Sequence, residues 1–136
     1  MPVTFSNPAG VHEPGARYSH AVLVEGPGRR LVISGQIGVR PDGSLAAGGQ
    51  AQIAQALANL GAVLAAHGMG PANIIKLGVF VTDRGLIGPW RAEREKFMGT
   101  LAPASTLLVV AGLADPRFLF EVEAEAIDSA GQPPLR

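Results

Sequence analysis

Residues 50–67 read QAQIAQALANLGAVLAAH, and residues 74–82, a short turn later, read IIKLGVFVT. In the first stretch Ile53, Leu57, Leu60 and Leu64 recur at spacings of four, three and four, which puts them on one stripe of a helix. Gln52, Gln55 and Asn59 are assigned to the opposite, polar side. Gly68 follows His67 and suits a left-handed C-cap, and a charge on His67 there would interact favourably with the helix dipole. The second stretch alternates with a period of two, with Ile75, Leu77, Val79 and Val81 on one face. A helix feeding directly into a strand is the kernel of a sheet with helices laid on it.

The same pattern extends in both directions. Upstream, residues 1–17 are rich in Pro and Gly and read as a short strand followed by loop. Tyr18 to Val24 alternates, and 25–28 (EGPG) is turn chemistry. Arg30 to Ser34 then predicts a second strand of a hairpin, and 41–44 (PDGS) another turn. Downstream, Pro89 suits the first position of a second helix running to about Met98, with Gly99 as its stop. Ser105 to Ala111 is almost continuously apolar, which predicts a strand covered on both faces. Phe118 to Ile127 alternates strongly. Phe120, Val122, Ala124 and Ala126 face one way, and Glu121, Glu123 and Glu125 the other. The order β, β-β, α, β, α, β-β is that of an α+β sheet with two helices packed on one face, in a single domain over residues 1–136.

Composition narrows the function classes. Hydrophobic residues are 47% of the chain and charged residues 16%, against about 25% charged in ordinary domains. So small a domain with so few charges is expected to bury apolar surface against other subunits. The formal net charge is zero, without the clustered basic excess that phosphate contacts require, so nucleic acid is not an expected partner. There is no cysteine, which removes disulfides, thiolate metal sites and cysteine nucleophiles. The N-terminal residues lack the charged and apolar regions of a signal peptide, and no apolar run approaches the roughly 18 residues of a membrane span. A cytoplasmic protein with no membrane partner is the resulting expectation.

Known catalytic signatures are missing. There is no G-x-S-x-G elbow and no G-x-x-x-x-G-K-[ST] phosphate loop, and Gly68-Met69-Gly70 follows a helix where a dinucleotide loop would follow a strand. His12, His20 and His67 are not spaced as metal ligands. His20 reads as a packed or surface histidine.

Four segments, in order, carry a family resemblance. Residues 15–22 (GARYSHAV) are similar to a G-P-Y-S-Q-A-V segment, and residues 34–37 match S-G-Q-I. Residues 52–60 with 76–83 (KLGVFVTD) are similar to a Q-x-x-Q-x-L-x-N helix and a K-T-T-V-F-L-x-D strand. Residues 103–106 (PAST) and 122–127 (VEAEAI) are similar to P-A-R-S and V-E-I-E-A-I. On these residues, which span 15–127, the chain resembles the reactive intermediate deaminase (Rid, or YjgF) family.

The resemblance implies a chorismate-mutase-like sheet and a homotrimer built as a barrel, with small-molecule clefts at the subunit interfaces. It implies hydrolysis of reactive enamines and imines to a carbonyl product and ammonia, with no metal and no organic cofactor. By position it implies Glu123 as the catalytic carboxylate that positions water. It implies Tyr18, Gly35, Ser105 and Thr106 as substrate-binding residues, with Arg91 nearby on the second helix. One position departs: the arginine of P-A-R-S, which clamps a substrate carboxylate in the family, is Ser105 here. A hydroxyl cannot replace a bidentate guanidinium. Arg91 and Arg117 are the two candidates to take over. Two readings therefore stand, an imine or enamine hydrolase with altered specificity and a ligand-binding trimer without chemistry. A third, a ribonuclease or translation inhibitor, is disfavoured by the neutral charge.

Overall fold

The computed structural model describes residues 2–129. The strands are β1 (Val3–Ser6), β2 (Ala21–Glu25), β3 (Gly28–Gln36), β4 (Ile74–Val81), β5 (Ala104–Val109) and β6 (Phe120–Ser129); the helices are α1 (Gly49–Ala66) and α2 (Ile87–Met98). All six strands form one sheet in the order β1-β2-β3-β6-β4-β5. Every pairing is antiparallel except β4 with β5, the two strands that α2 connects. The α+β expectation holds, with both helices contributing to one core against one face of the sheet.

That core follows from the periodicities. Ile53, Leu57, Leu60 and Leu64 of α1 are all buried, as are Phe120, Val122, Ala124 and Ala126 of β6. Each large aliphatic side chain removed from water contributes about 2 kcal/mol. α1 ends as its glycine suggests. Gly68 sits at φ 68°, its N–H donates to the Ala65 carbonyl, and the Met69 N–H reaches back to Leu64, the paired bonds of a Schellman cap.

Several local expectations need correction. Gln52 and Asn59 of α1 are buried, at 2% and 5% exposure, because each spends its amide on loop backbone. Asn59 Nδ2 donates to the carbonyls of Ile37 (3.0 Å) and Val39 (2.8 Å). Gln52 donates to the Arg117 carbonyl (3.1 Å) and accepts from the Leu119 N–H (2.9 Å). On β4 it is Ile74, not Ile75, that enters the core. The register with β6 slips by one residue between Ile74 and Lys76, and this bulge turns Ile75 off the buried face. α2 begins two residues before Pro89, which still lies in the first turn, where a missing N–H costs nothing. At His67 other effects outweigh any favourable pull of the helix end on a proton. Burial, with the nearby Arg29 charge, pushes its pKa down, and its Nε2 pairs with Ser6 Oγ at 2.9 Å.

The largest departure is β5. It is an edge strand, paired only with β4, and all of it but Leu107 is exposed in the single chain. Among the described residues nothing covers its apolar run on both faces. Leu108 and Val109 stand 49% and 43% exposed, and Val32 on the sheet face away from the helices is 37% exposed.

Candidate functional site

A bulge in β3 builds the candidate site. Ile33 pairs with Ala124 and Gln36 with Val122, so three steps along β3 match two along β6. The extra residue falls in the Ser34-Gly35 pair. Two bonds hold the bulge down: the Ser34 N–H donates to the His20 carbonyl (2.7 Å) and its hydroxyl to the Ser19 carbonyl (2.6 Å). Gly35 is thereby brought under the side chain of Glu121. A Cβ at Gly35 would fall on the Glu121 carboxylate, so only glycine leaves room for it.

Two contiguous clefts open here. The smaller, about 330 Å³, is lined by Tyr18, Ser34, Gly35, Ile37, Ala114, Phe118 and Glu121. The larger, about 520 Å³, shares Tyr18, Gly35, Ile37, Ala114 and Phe118, then continues between the 11–16 and 39–45 loops, past Val11, Gln36, Leu45 and Asn59. Arg117 and Glu13 also line it. Burial raises the pKa of Glu121, and the charge of Glu123 two residues on raises it further. Arg117 is not a free cation. It is gripped by both oxygens of Asp115, at 3.1 and 2.9 Å, and this pairing holds the Asp115 carboxyl down at about 2.

The residues singled out from the sequence divide into two groups. Tyr18 and Gly35 meet in both clefts, although Tyr18 lies in the loop before β2 and does not open a strand. Glu123 lies elsewhere. It extends over Gly78 of β4 on the sheet face away from the helices, beside Lys76, in a separate cleft of about 420 Å³ that Ser34 also lines. Glu121 is the carboxylate that stands with Tyr18 and Gly35. The two sit on the same strand face, and alternation alone could not choose between them; the register with the β3 bulge does. Ser105 and Thr106 are on the exposed edge strand, where Lys76 Nζ donates to Thr106 Oγ1 at 2.9 Å. Arg91 is exposed on α2. None of these three lines either cleft of the single chain. His20 is a packed histidine, 7% exposed. Among the described residues no three His, Asp or Glu side chains are grouped closely enough to hold a metal ion, and no helix is long and apolar enough to cross a membrane.

Residues 10–128 match the family model described as Endoribonuclease L-PSP. The chain belongs to this family. It is 38% identical over 118 residues to the human 2-iminobutanoate/2-iminopropanoate deaminase, covering 84% of this chain and 83% of that protein. It is 32% identical over 99 residues to the Saccharomyces cerevisiae protein HMF1, covering 72% and 74%. Among solved L-PSP structures, E. coli TdcF with bound serine superposes with a TM-score of 0.83 at 26% identity, over 93% of this chain and 99% of that one. RidA from an Antarctic Psychrobacter gives 0.82 at 26% identity, over 90% and 97%. The resemblance read from the sequence is therefore a membership, and the name of the human relative gives imine deamination as the general kind of reaction.

Proposed function

We propose that the chain hydrolyses reactive imines and enamines to a carbonyl product and ammonia, as a homotrimer of the cytoplasm, with Glu121 as its general acid and base. The observation that carries this reading is the half-buried Glu121 carboxyl in a cleft wall beside Tyr18 and Gly35, with its pKa raised by burial and by the charge of Glu123. A protonated Glu121 gives its proton to the imine nitrogen, or to the terminal carbon of an enamine, leaving an electrophilic iminium. Water adds to the iminium carbon and its surplus proton passes to the Glu121 carboxylate. Glu121 then protonates the amino group of the resulting carbinolamine. Ammonia leaves as the hydroxyl oxygen forms the carbonyl and returns its proton. One water is consumed for each ammonia released, and nothing is oxidised or reduced.

Ser105 sets the expected limit. An α-enamino acid such as 2-aminoacrylate, or its imino tautomer, finds no guanidinium at this position, and a charge-assisted pair contributes about 1.5–3 kcal/mol. Its hydrolysis should be tenfold or more slower than by an arginine-bearing relative. The test generates imines with an oxidase, traps survivors with semicarbazide, and follows ammonia. Wild type should shorten the lifetime of at least one imine, and Glu121→Gln should not. If no imine decays faster with protein than without, or if Glu121→Gln retains the full rate, the reading fails. The trimer is supported by the exposed apolar edge of β5 and the uncovered sheet face around Val32.

A further inference from the structure

The larger cleft contains a hydrogen-bond acceptor whose orientation is fixed by a chain of bonds beginning at two backbone carbonyls. His20 Nε2 lies 2.6 Å from the His12 carbonyl. A carbonyl only accepts, so Nε2 carries the proton and Nδ1 is the acceptor. Gln36 Nε2 lies 3.1 Å from that Nδ1 and 3.1 Å from the Ser34 carbonyl. Both neighbours need a donor, so the amide cannot be flipped. Its two N–H groups are spent, and Oε1 is left as the free end.

Gln36 is 2% exposed, yet among the described residues no fully buried side-chain oxygen or nitrogen lacks a partner. Oε1 accepts no hydrogen bond there, so it retains access to solvent, and the residue lines the larger cleft. An acceptor this constrained loses little freedom on meeting a donor. Around it the cleft offers Val11, Leu45 and Phe118 as apolar wall. The one guanidinium of the described lining, Arg117, is already paired with Asp115, and Glu13 is its carboxylate, while Glu121 lines only the smaller cleft. An anion would be desolvated here beside the Glu13 carboxylate with no unpaired guanidinium in the described lining.

We infer that the larger cleft is a specificity subsite for an uncharged, extended substrate, an apolar framework bearing an N–H or O–H that donates to Gln36 Oε1. In the reaction, this makes the preferred substrate an imine without an α-carboxylate. That statement of substrate rests on the hydrolase reading above; the binding statement does not.

Calorimetry with four stable probes tests the binding: phenylacetamide, 4-hydroxyphenylacetamide and the corresponding two carboxylates. The hydroxylated amide should bind about five- to tenfold tighter than phenylacetamide, the worth of one neutral hydrogen bond, and each amide tighter than its carboxylate. Gln36→Met should erase the hydroxyl preference, with its melting curve and mass reporting whether it folds. Equal affinities for the two amides, tighter binding of the carboxylates, or no binding of any probe would overturn the inference, whatever the variant does. The imines released by a flavin amine oxidase from tyramine and 2-phenylethylamine form the kinetic arm. A preference in binding without any accelerated decay leaves the subsite standing and removes the hydrolase reading. Equal acceleration of both imines, with no preference in binding, does the reverse.

Discussion

Glu121 and Glu123 are two residues apart, chemically identical and on one face of one strand, yet only Glu121 lines a cleft with Tyr18 and Gly35. Their roles should separate in the pH dependence. Catalysis that needs the protonated Glu121 declines as pH rises through its elevated pKa. Glu123→Gln removes one of the two causes of that elevation and should shift this limb to lower pH while leaving the maximal rate within a few-fold of wild type. Stability runs the opposite way to an ordinary surface carboxylate. The folded pKa lies above the unfolded one, so the contribution of neutral Glu121 is full below the unfolded value and is lost as pH rises through the folded value. Glu121→Gln should therefore melt at the same temperature as wild type or higher at neutral pH, even though it is inactive; a lower melting temperature would contradict this account. Gly35→Ala is the steric counterpart. The added methyl meets the carboxylate end of a flexible side chain, which can swing away. The variant should fold, with kcat/KM for the best imine reduced by about 100-fold, the order expected when a catalytic group is displaced by an ångström or so.

The elements that hold the site are tied by side-chain amides. Asn59 of α1 fixes the segment after β3 through the Ile37 and Val39 carbonyls, and Gln52 fixes the loop before β6 at Arg117 and Leu119. Both segments wall the cleft, so one helix sets the width of the opening between them. Asn59→Ala leaves two carbonyls without a partner and should lower unfolding stability by about 2–3 kcal/mol, read as a lower urea midpoint with an unchanged slope. An unchanged midpoint would mean that water replaces the amide without cost. In the sequence these residues look like the solvent side of an amphipathic helix. Helical periodicity reports which positions share a face, and it cannot report that an incoming loop needs donors at that face.

At the scale of the whole molecule, a single chain leaves β5 unpaired along one edge and leaves Leu108, Val109 and Val32 in contact with water. Sedimentation equilibrium should give three times the 14.0 kDa chain mass at micromolar concentration. Leu108→Glu, which places a charge on that edge, should shift the mass toward one chain; a wild-type protein that sediments as a monomer would refute the trimer. The sequence alone determined the order of the six strands and two α-helices, the core stripes of α1 and β6, and the family, because each of these is written in local periodicity, turn chemistry or an ordered set of short segments. It also brought Tyr18 and Gly35 forward together as site residues. Three things were decided only by the tertiary structure. Glu121 rather than Glu123 stands beside Tyr18 and Gly35 in the single chain, since a one-residue bulge in β3 sets which carboxylate lies over Gly35. Gln36 has its amide nitrogen consumed by the His20 ring and the Ser34 carbonyl, which leaves its oxygen as the free end. The apolar run of β5 lies at an edge, since strand order is a long-range pairing choice that no window of local sequence encodes.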